Sequence, residues 1–341
     1  MRIGSMNIHS SAPARVDWID VARGLCIALV VLLHTVNFMA TRGLADAWWF
    51  DVNAVLEPVR MPLFFVVAGL FATKDLALSW DQLWRKRIAP LLYLYVLWML
   101  LRFALFSVFP HISGTHEASN AMNLLTGLIN PSSGLWFLYA LIVYAVVART
   151  FRRVDPRLQL AAATALSLLG PAVVEAISWT WVKIVSYLLF FLIGLHLRAV
   201  VHGVAAATTT RSAILWPAGF VSLYFVVSST TQATAVAALV SVVGVITGVV
   251  VCTHIQHWRS SALLRRLGSL TLPIYLLHEI VLGTVITASV AVGLDVSIHG
   301  AGPVMISAVT IFLSVLAGTA IYRWTCLLQL PQKQPSVEHT P

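Results

Sequence analysis

The chain predicts an all-α membrane bundle of about ten transmembrane helices, and three observations predict it. Of its 341 residues 59% are hydrophobic and only 10% charged, and the mean hydropathy of +0.87 lies far from that of a soluble domain. Apolar runs of about 20 residues, the length that spans a bilayer, recur at residues 21–40, 54–73, 90–109, 134–149, 158–176, 180–199, 212–229, 232–252, 270–292 and 303–326. The segments between these runs alternate in charge.

One set of connections carries Arg2 and Arg15; Lys74, Arg85, Lys86 and Arg87; Arg149, Arg152, Arg153 and Arg157; Arg198 and Arg211; Arg259, Arg265 and Arg266; then Arg323 and Lys333. The opposite set, residues 41–53, 110–133, 177–179, 230–231 and 293–302, adds only Arg42. Under the positive-inside rule both termini are then cytoplasmic. The net charge of +9 is a topology signal; its dispersal into short clusters argues against a nucleic-acid partner.

The chain divides into a cytoplasmic N-terminal segment at 1–20, a membrane domain at 21–328, and a tail at 329–341 with three prolines that is expected to be disordered. No connection reaches 30 residues, which leaves no room for a soluble domain. Cys26, Cys252 and Cys326 lie in or beside apolar runs without CxxC or Cys/His spacing, so neither a disulfide framework nor a metal site is expected. Ala45, Asp46 and Ala47 resemble a signal-peptide cleavage site, but the many later runs favour a retained first helix. The longest outer connection, 110–133, holds His111, His116 and Glu117 and reads as a solvated loop or a lid.

Ionisable residues inside the runs carry the functional signal. Arg23 opens the first run and His34 follows it; eleven residues turn a helix by about 1100°, so both side chains share one face roughly 16.5 Å apart. That puts Arg23 near a membrane surface and His34 near the bilayer middle, where an ionisable group reads as functional by default. The alternative is a neutral histidine hydrogen-bonded between packed helices.

Arg60 sits between Pro58 and Pro62, where regular helix hydrogen bonds are lost, and Arg102 lies well inside the third run. His278 is about 12 Å into the ninth run, with Glu279 beside it. Such groups must face one another or a water-filled cavity. One polar cavity lined by runs one, two, three and nine is therefore predicted; a pairing of Glu279 with Arg60 or Arg102 that only locks helices is the alternative.

At the basic mouth, Arg23 and the Arg85-Lys86-Arg87 cluster have the chemistry that holds phosphates, or they are positive-inside anchors. Arginines at a rim with a histidine about 16 Å deeper suit a long amphipathic donor such as an acyl thioester of coenzyme A. His34 could then serve as general base for an acceptor hydroxyl.

Six motifs in order resemble those of the acyltransferase 3 family of integral membrane acyltransferases, most of all its fucose 4-O-acetylase-like branch. They are Arg15, Asp17, Trp18, Asp20, Arg23 and Gly24 running on to His34; Met61-Pro62-Leu63-Phe64-Phe65 to Ala68-Gly69; Arg85-Lys86-Arg87 to Pro90-Leu91; Leu135-Trp136-Phe137-Leu138; Phe190-Phe191-Leu192-Ile193-Gly194; and Leu267-Gly268-Ser269 through Pro273-Ile274-Tyr275 to His278. The resemblance extends from Arg15 to about Trp324.

It implies a ten-helix bundle in the cell (inner) membrane, with acyl-CoA as cytoplasmic co-substrate and no permanently bound cofactor. The acyl group, usually acetyl, would pass to a hydroxyl of an extracytoplasmic glycan or related lipid-linked acceptor. Arg23 would contact the donor and His34 would be catalytic, with Arg85 and Arg87 as further donor-binding residues. Arg60, Arg102, Trp136, Tyr275, His278 and Glu279 are the cavity-lining candidates. Two departures stand out: Ala68 where the family often has Ser, and Arg60 where the branch often has His. Any role resting on those two side chains is left open.

A transporter or flippase using the same cavity is the competing class, but two related halves with broken helices are not seen. A same-fold acyltransferase acting on a small molecule or lipid differs only in its product. Acceptor choice is expected to reside in residues 41–53 and 110–133; for Trp48 and Trp49 the membrane-interface belt is the favoured reading over stacking on sugar rings.

Overall fold

The computed structural model describes residues 17–113, 120–131, 134–174, 178–230, 234–294, 296–297, 300–321 and 327–330. Expectations for residues 1–16 and 331–341, and for His116, Glu117, Arg323 and Cys326, lie outside the described residues. Each apolar run corresponds to a long helix: α1 (Asp17–Ala40), α2 (Trp48–Ala72), α3 (Ala89–Val108), α4 (Trp136–Thr150), α5 (Pro156–Val174), α6 (Trp179–His196), α7 (Thr210–Thr230), α8 (Thr234–Ile255), α9 (Thr271–Ala291) and α10 (Gly302–Ile321). Short helices at Arg198–Ala206 and Ser261–Ser269 lie between them, and no strand occurs among the described residues.

Among the described residues eight helices are long and apolar enough to cross a membrane. The two other predicted spans are α4, an apolar helix of 15 residues, and α5, which is helical but not one of the eight. At about 1.5 Å per residue α4 reaches roughly 22 Å, short of a hydrocarbon core of about 30 Å.

Hydropathy places several helix starts too late. Helix α1 begins at Asp17, and its first turn carries Asp17 and Asp20, which complement the positive N-terminal end of the helix dipole. Helix α2 begins at Trp48 and runs unbroken past Pro58 and Pro62. The amide groups these prolines remove are tolerated because neighbouring spans pack against the helix.

Close helix approach is built on glycine pairs. A Cβ at Gly24 would strike the Leu264 carbonyl oxygen, and one at Gly268 would strike that of Asp20, so α1 and Ser261–Ser269 cross with backbones in contact. Gly69 and Gly194 make the same reciprocal contact between α2 and α6, against the carbonyls of Phe191 and Val66. Small residues at both partners of a crossing are the usual device for packing helices where lipid supplies no hydrophobic drive.

The connections gather at two ends, as their charge predicts. At the basic end Arg87 Nε contacts the Asp75 carboxylate at 2.7 Å, and Arg149 donates to the Leu76 carbonyl at 3.1 Å. At the other end Arg42 donates to the His111 carbonyl at 2.8 Å, Trp49 to that of Gly300 at 2.8 Å, and Trp181 to that of Ile129 at 3.0 Å. Trp49 is thus buried and committed to loop packing, while its stacked neighbour Trp48 is exposed.

Candidate functional site

Helix α1 carries Arg23 and His34 on one face, and α9 runs alongside in the same direction. Arg23 Nη2 donates to the Thr271 hydroxyl at 2.8 Å; two turns further along α9, His34 Nδ1 lies 3.3 Å from Glu279 Oε1. The 3.6-residue period of each helix sets both contacts.

Around His34 the bundle assembles a compact polar cluster. Arg102 of α3 bonds Glu279 Oε2 through Nη2, and the His278 ring stands edge-on to His34 with centroids 5.0 Å apart. His278 Nδ1 faces the Tyr275 carbonyl oxygen at 2.7 Å, so that nitrogen carries the proton, and Nε2 has no hydrogen-bond partner among the described residues. Exposure separates the two histidines. His34 keeps 31% of its side chain accessible, whereas His278 is 1% exposed; only His34 can meet a substrate.

His34, His278 and Glu279 present ligand atoms within 4.8 Å of one another, a spacing that could hold a metal ion. The Arg102 guanidinium already occupies the same carboxylate, however. A dication beside it would meet strong repulsion in a low-dielectric interior, so a chain of charge contacts from Arg102 through Glu279 to His34 accounts better for these side chains; Glu279 Oε1 makes no hydrogen bond among the described residues.

A cavity of about 380 Å³ opens at the basic end, with Arg23, Asp75, Arg87 and Thr271 at its rim and Phe137 and Tyr275 deeper. Tyr275 connects it to the cluster: its ring centroid lies 6.1 Å from that of His278, and its hydroxyl donates to the Gly134 carbonyl at 2.7 Å. Ala68 also lines this cavity.

The predicted residues separate accordingly. His34, Arg102, His278 and Glu279 come together, and Arg23, Arg87 and Tyr275 line the adjoining cavity. Arg85 stays outside, its side chain 75% exposed and 3.0 Å from Asp81. Trp136 stacks on Tyr187 at 6.0 Å, in the aromatic core rather than in the cluster. Arg60 is buried and donates to Asn53 of its own helix at 3.4 Å, while its Nε makes no hydrogen bond among the described residues.

Three contributors escaped sequence reasoning. Thr271 and Asp75 are ordinary polar residues at helix ends, recognisable only from their arginine partners. Gly134 closes the turn before α4, and a Cβ there would overlap the Glu279 carboxylate; the turn was legible, its contact was not.

Comparison with known proteins identifies the family. The profile of the acyltransferase 3 family, described as an acyltransferase domain, matches residues 16–323. The inner membrane protein YcfT of Escherichia coli (strain K12) is 28% identical over 289 residues, covering 77% of this chain and 78% of YcfT. No solved structure matches. A profile match that takes in both the His34 cluster and the basic-end cavity shows that this multi-pass membrane protein belongs to the acyltransferase 3 family.

Proposed function

We propose that the protein is a membrane O-acyltransferase of the cell (inner) membrane. It takes an acyl group, usually acetyl, from acyl-coenzyme A at a cytoplasmic basic end and passes it to a hydroxyl of a glycan or related cell-envelope acceptor. The observation that carries this reading is the line His34, Glu279, Arg102, buried in a membrane bundle and joined through Tyr275 to a cavity rimmed by Arg23 and Arg87.

The donor has an anionic nucleotide and a slender acyl-bearing arm. A cavity of about 380 Å³ is at the small end of ligand sites; it suits the arm, while Arg23 and Arg87 at its rim are placed for phosphates. With Nδ1 turned to Glu279, His34 Nε2 is the base. It takes the proton of the acceptor hydroxyl as that oxygen attacks the thioester carbonyl. The tetrahedral adduct then expels the coenzyme A sulfur, which receives the same proton from the imidazolium. Glu279, held ionised by Arg102, stabilises that imidazolium.

The decisive experiment compares acyl ester on envelope glycans, by mass spectrometry, in cells carrying the wild type or His34→Ala at matched membrane levels. Loss of ester is expected in the variant. Equal ester would overturn the catalytic assignment, and an acylated small molecule or lipid in place of a glycan would redirect the acceptor.

A further inference from the structure

A second and larger cavity, of about 610 Å³, lies between α2, α5, α6, α7 and α8. It is lined by the N-terminal halves of α2 and α6, and the basic-end cavity by their C-terminal halves, so the two occupy opposite halves of the bundle. The Phe65 ring stands between them, 5.5 Å from Tyr187 of the second cavity and 4.9 Å from Phe137 of the first.

The lining of the second cavity has no account in packing. Glu57 and Lys183 both face it, each inside a helix long and apolar enough to span a membrane. Lys183 lies within electrostatic reach of the Glu57 carboxylate but makes no direct ion pair among the described residues; its ammonium lies 5.7 Å from the ring centres of Trp136 and Trp179. Glu57 likewise makes neither an ion pair nor a hydrogen bond among the described residues. Charges at such depth are costly and normally paired. The hydroxyls of Tyr187 and Tyr224 make no hydrogen bond among the described residues, and Ser228 and Ser241 donate to their own helix backbones, which leaves their oxygens able to accept.

We infer that this cavity binds a sugar ring, free or carried on a lipid. With one acidic and one basic side chain facing it, the cavity has no net preference for an anion or a cation, and a neutral polyol gives hydroxyl donors to the carboxylate and hydroxyl acceptors to the ammonium. The exposed Trp179 ring at the rim offers a flat platform for the apolar face of a pyranose. This deepens the acyl-transfer reading and rests on it only for the consequence that the bound ring is the acceptor.

The test places a benzophenone amino acid at position 179 of the full chain in native membranes, with a control at Ile214, an exposed residue of α7 outside both cavities. After irradiation, adducts are identified by mass spectrometry. A sugar-containing adduct at 179 and none at 214 is expected, its extraction into chloroform distinguishing a lipid-linked sugar from a free glycan. The adduct should fall about tenfold in Glu57→Gln and in Lys183→Ala, the loss of a charge-assisted hydrogen bond.

Phospholipid or protein adducts alone at 179, no sugar adduct, or a yield insensitive to both substitutions would overturn the inference. The acyl ester assay on the same membranes keeps the two readings apart. Sugar adducts without acyl ester leave the site standing and remove the transfer reaction; ester formed at wild-type rate by both variants does the reverse.

Discussion

The His34 imidazole and the Glu279 carboxylate face each other at 3.3 Å across α1 and α9, with Arg102 on the far carboxylate oxygen. In the proposed transfer this contact would orient the ring and stabilise positive charge on it. Glu279→Gln keeps the shape and removes the charge, so kcat should fall by about 10²-fold or more while the KM for acyl-CoA changes little. Steady-state kinetics on purified protein in nanodiscs reads the split; a change confined to KM would assign Glu279 to donor binding.

Arg102 is 1% exposed, and its charge in the interior depends on Glu279. Removing one partner of a buried pair costs about 3–5 kcal/mol, because the other is left uncompensated. Glu279→Leu and Arg102→Met singly should therefore lower the thermal unfolding temperature and the membrane level. The double variant should recover much of that stability with no activity. Additive losses in the double variant would deny the coupling.

Gly134→Ala tests how tightly the cluster is confined. The added Cβ would overlap the Glu279 carboxylate, forcing it away from His34 or Arg102, while the turn keeps an ordinary backbone. Activity should drop at least tenfold, since a displacement of about an ångström at a reacting group costs on the order of 10²-fold. Gly127→Ala, whose Cβ would also be crowded but near Met99 and Asn123, controls for a general packing defect.

What was legible in the sequence follows from which forces act along the chain. Apolar runs placed the eight span-length helices found among the described residues because span length is set locally, while α4 and α5 fall outside that set; the 3.6-residue period put Arg23 and His34 on one face before any neighbour was known. The helix starts at Asp17 and Trp48 were missed because capping acids and interfacial tryptophans lower hydropathy without ending a helix. The pairing of Arg102 rather than Arg60 with Glu279 is set by how α2, α3 and α9 pack, which no single-helix pattern encodes. The charges of Glu57 and Lys183 stood in apolar runs in plain view. They become informative only when the fold brings them to one cavity.

Arg85 and Arg87, alike in sequence, are separated by the structure. Arg87 reaches the cavity rim and contacts Asp75 at 2.7 Å, whereas Arg85 points to Asp81 with its side chain 75% exposed. Both lie in the helical turn Trp84–Ile88 just before α3, and side chains two residues apart on a helix point to nearly opposite sides, which directs the two arginines differently. If the rim holds the donor's phosphates, Arg87→Ala and Arg23→Ala should each raise the KM for acyl-CoA about tenfold, the worth of a charge-assisted hydrogen bond. Arg85→Ala should leave it within about twofold, as exposed ion pairs contribute little. Raising salt should shrink the difference between wild type and Arg87→Ala, because screening weakens phosphate contacts at an open rim. Equal KM increases for Arg85→Ala and Arg87→Ala would mean that the whole loop attracts the donor through its net charge, with no built site at the rim.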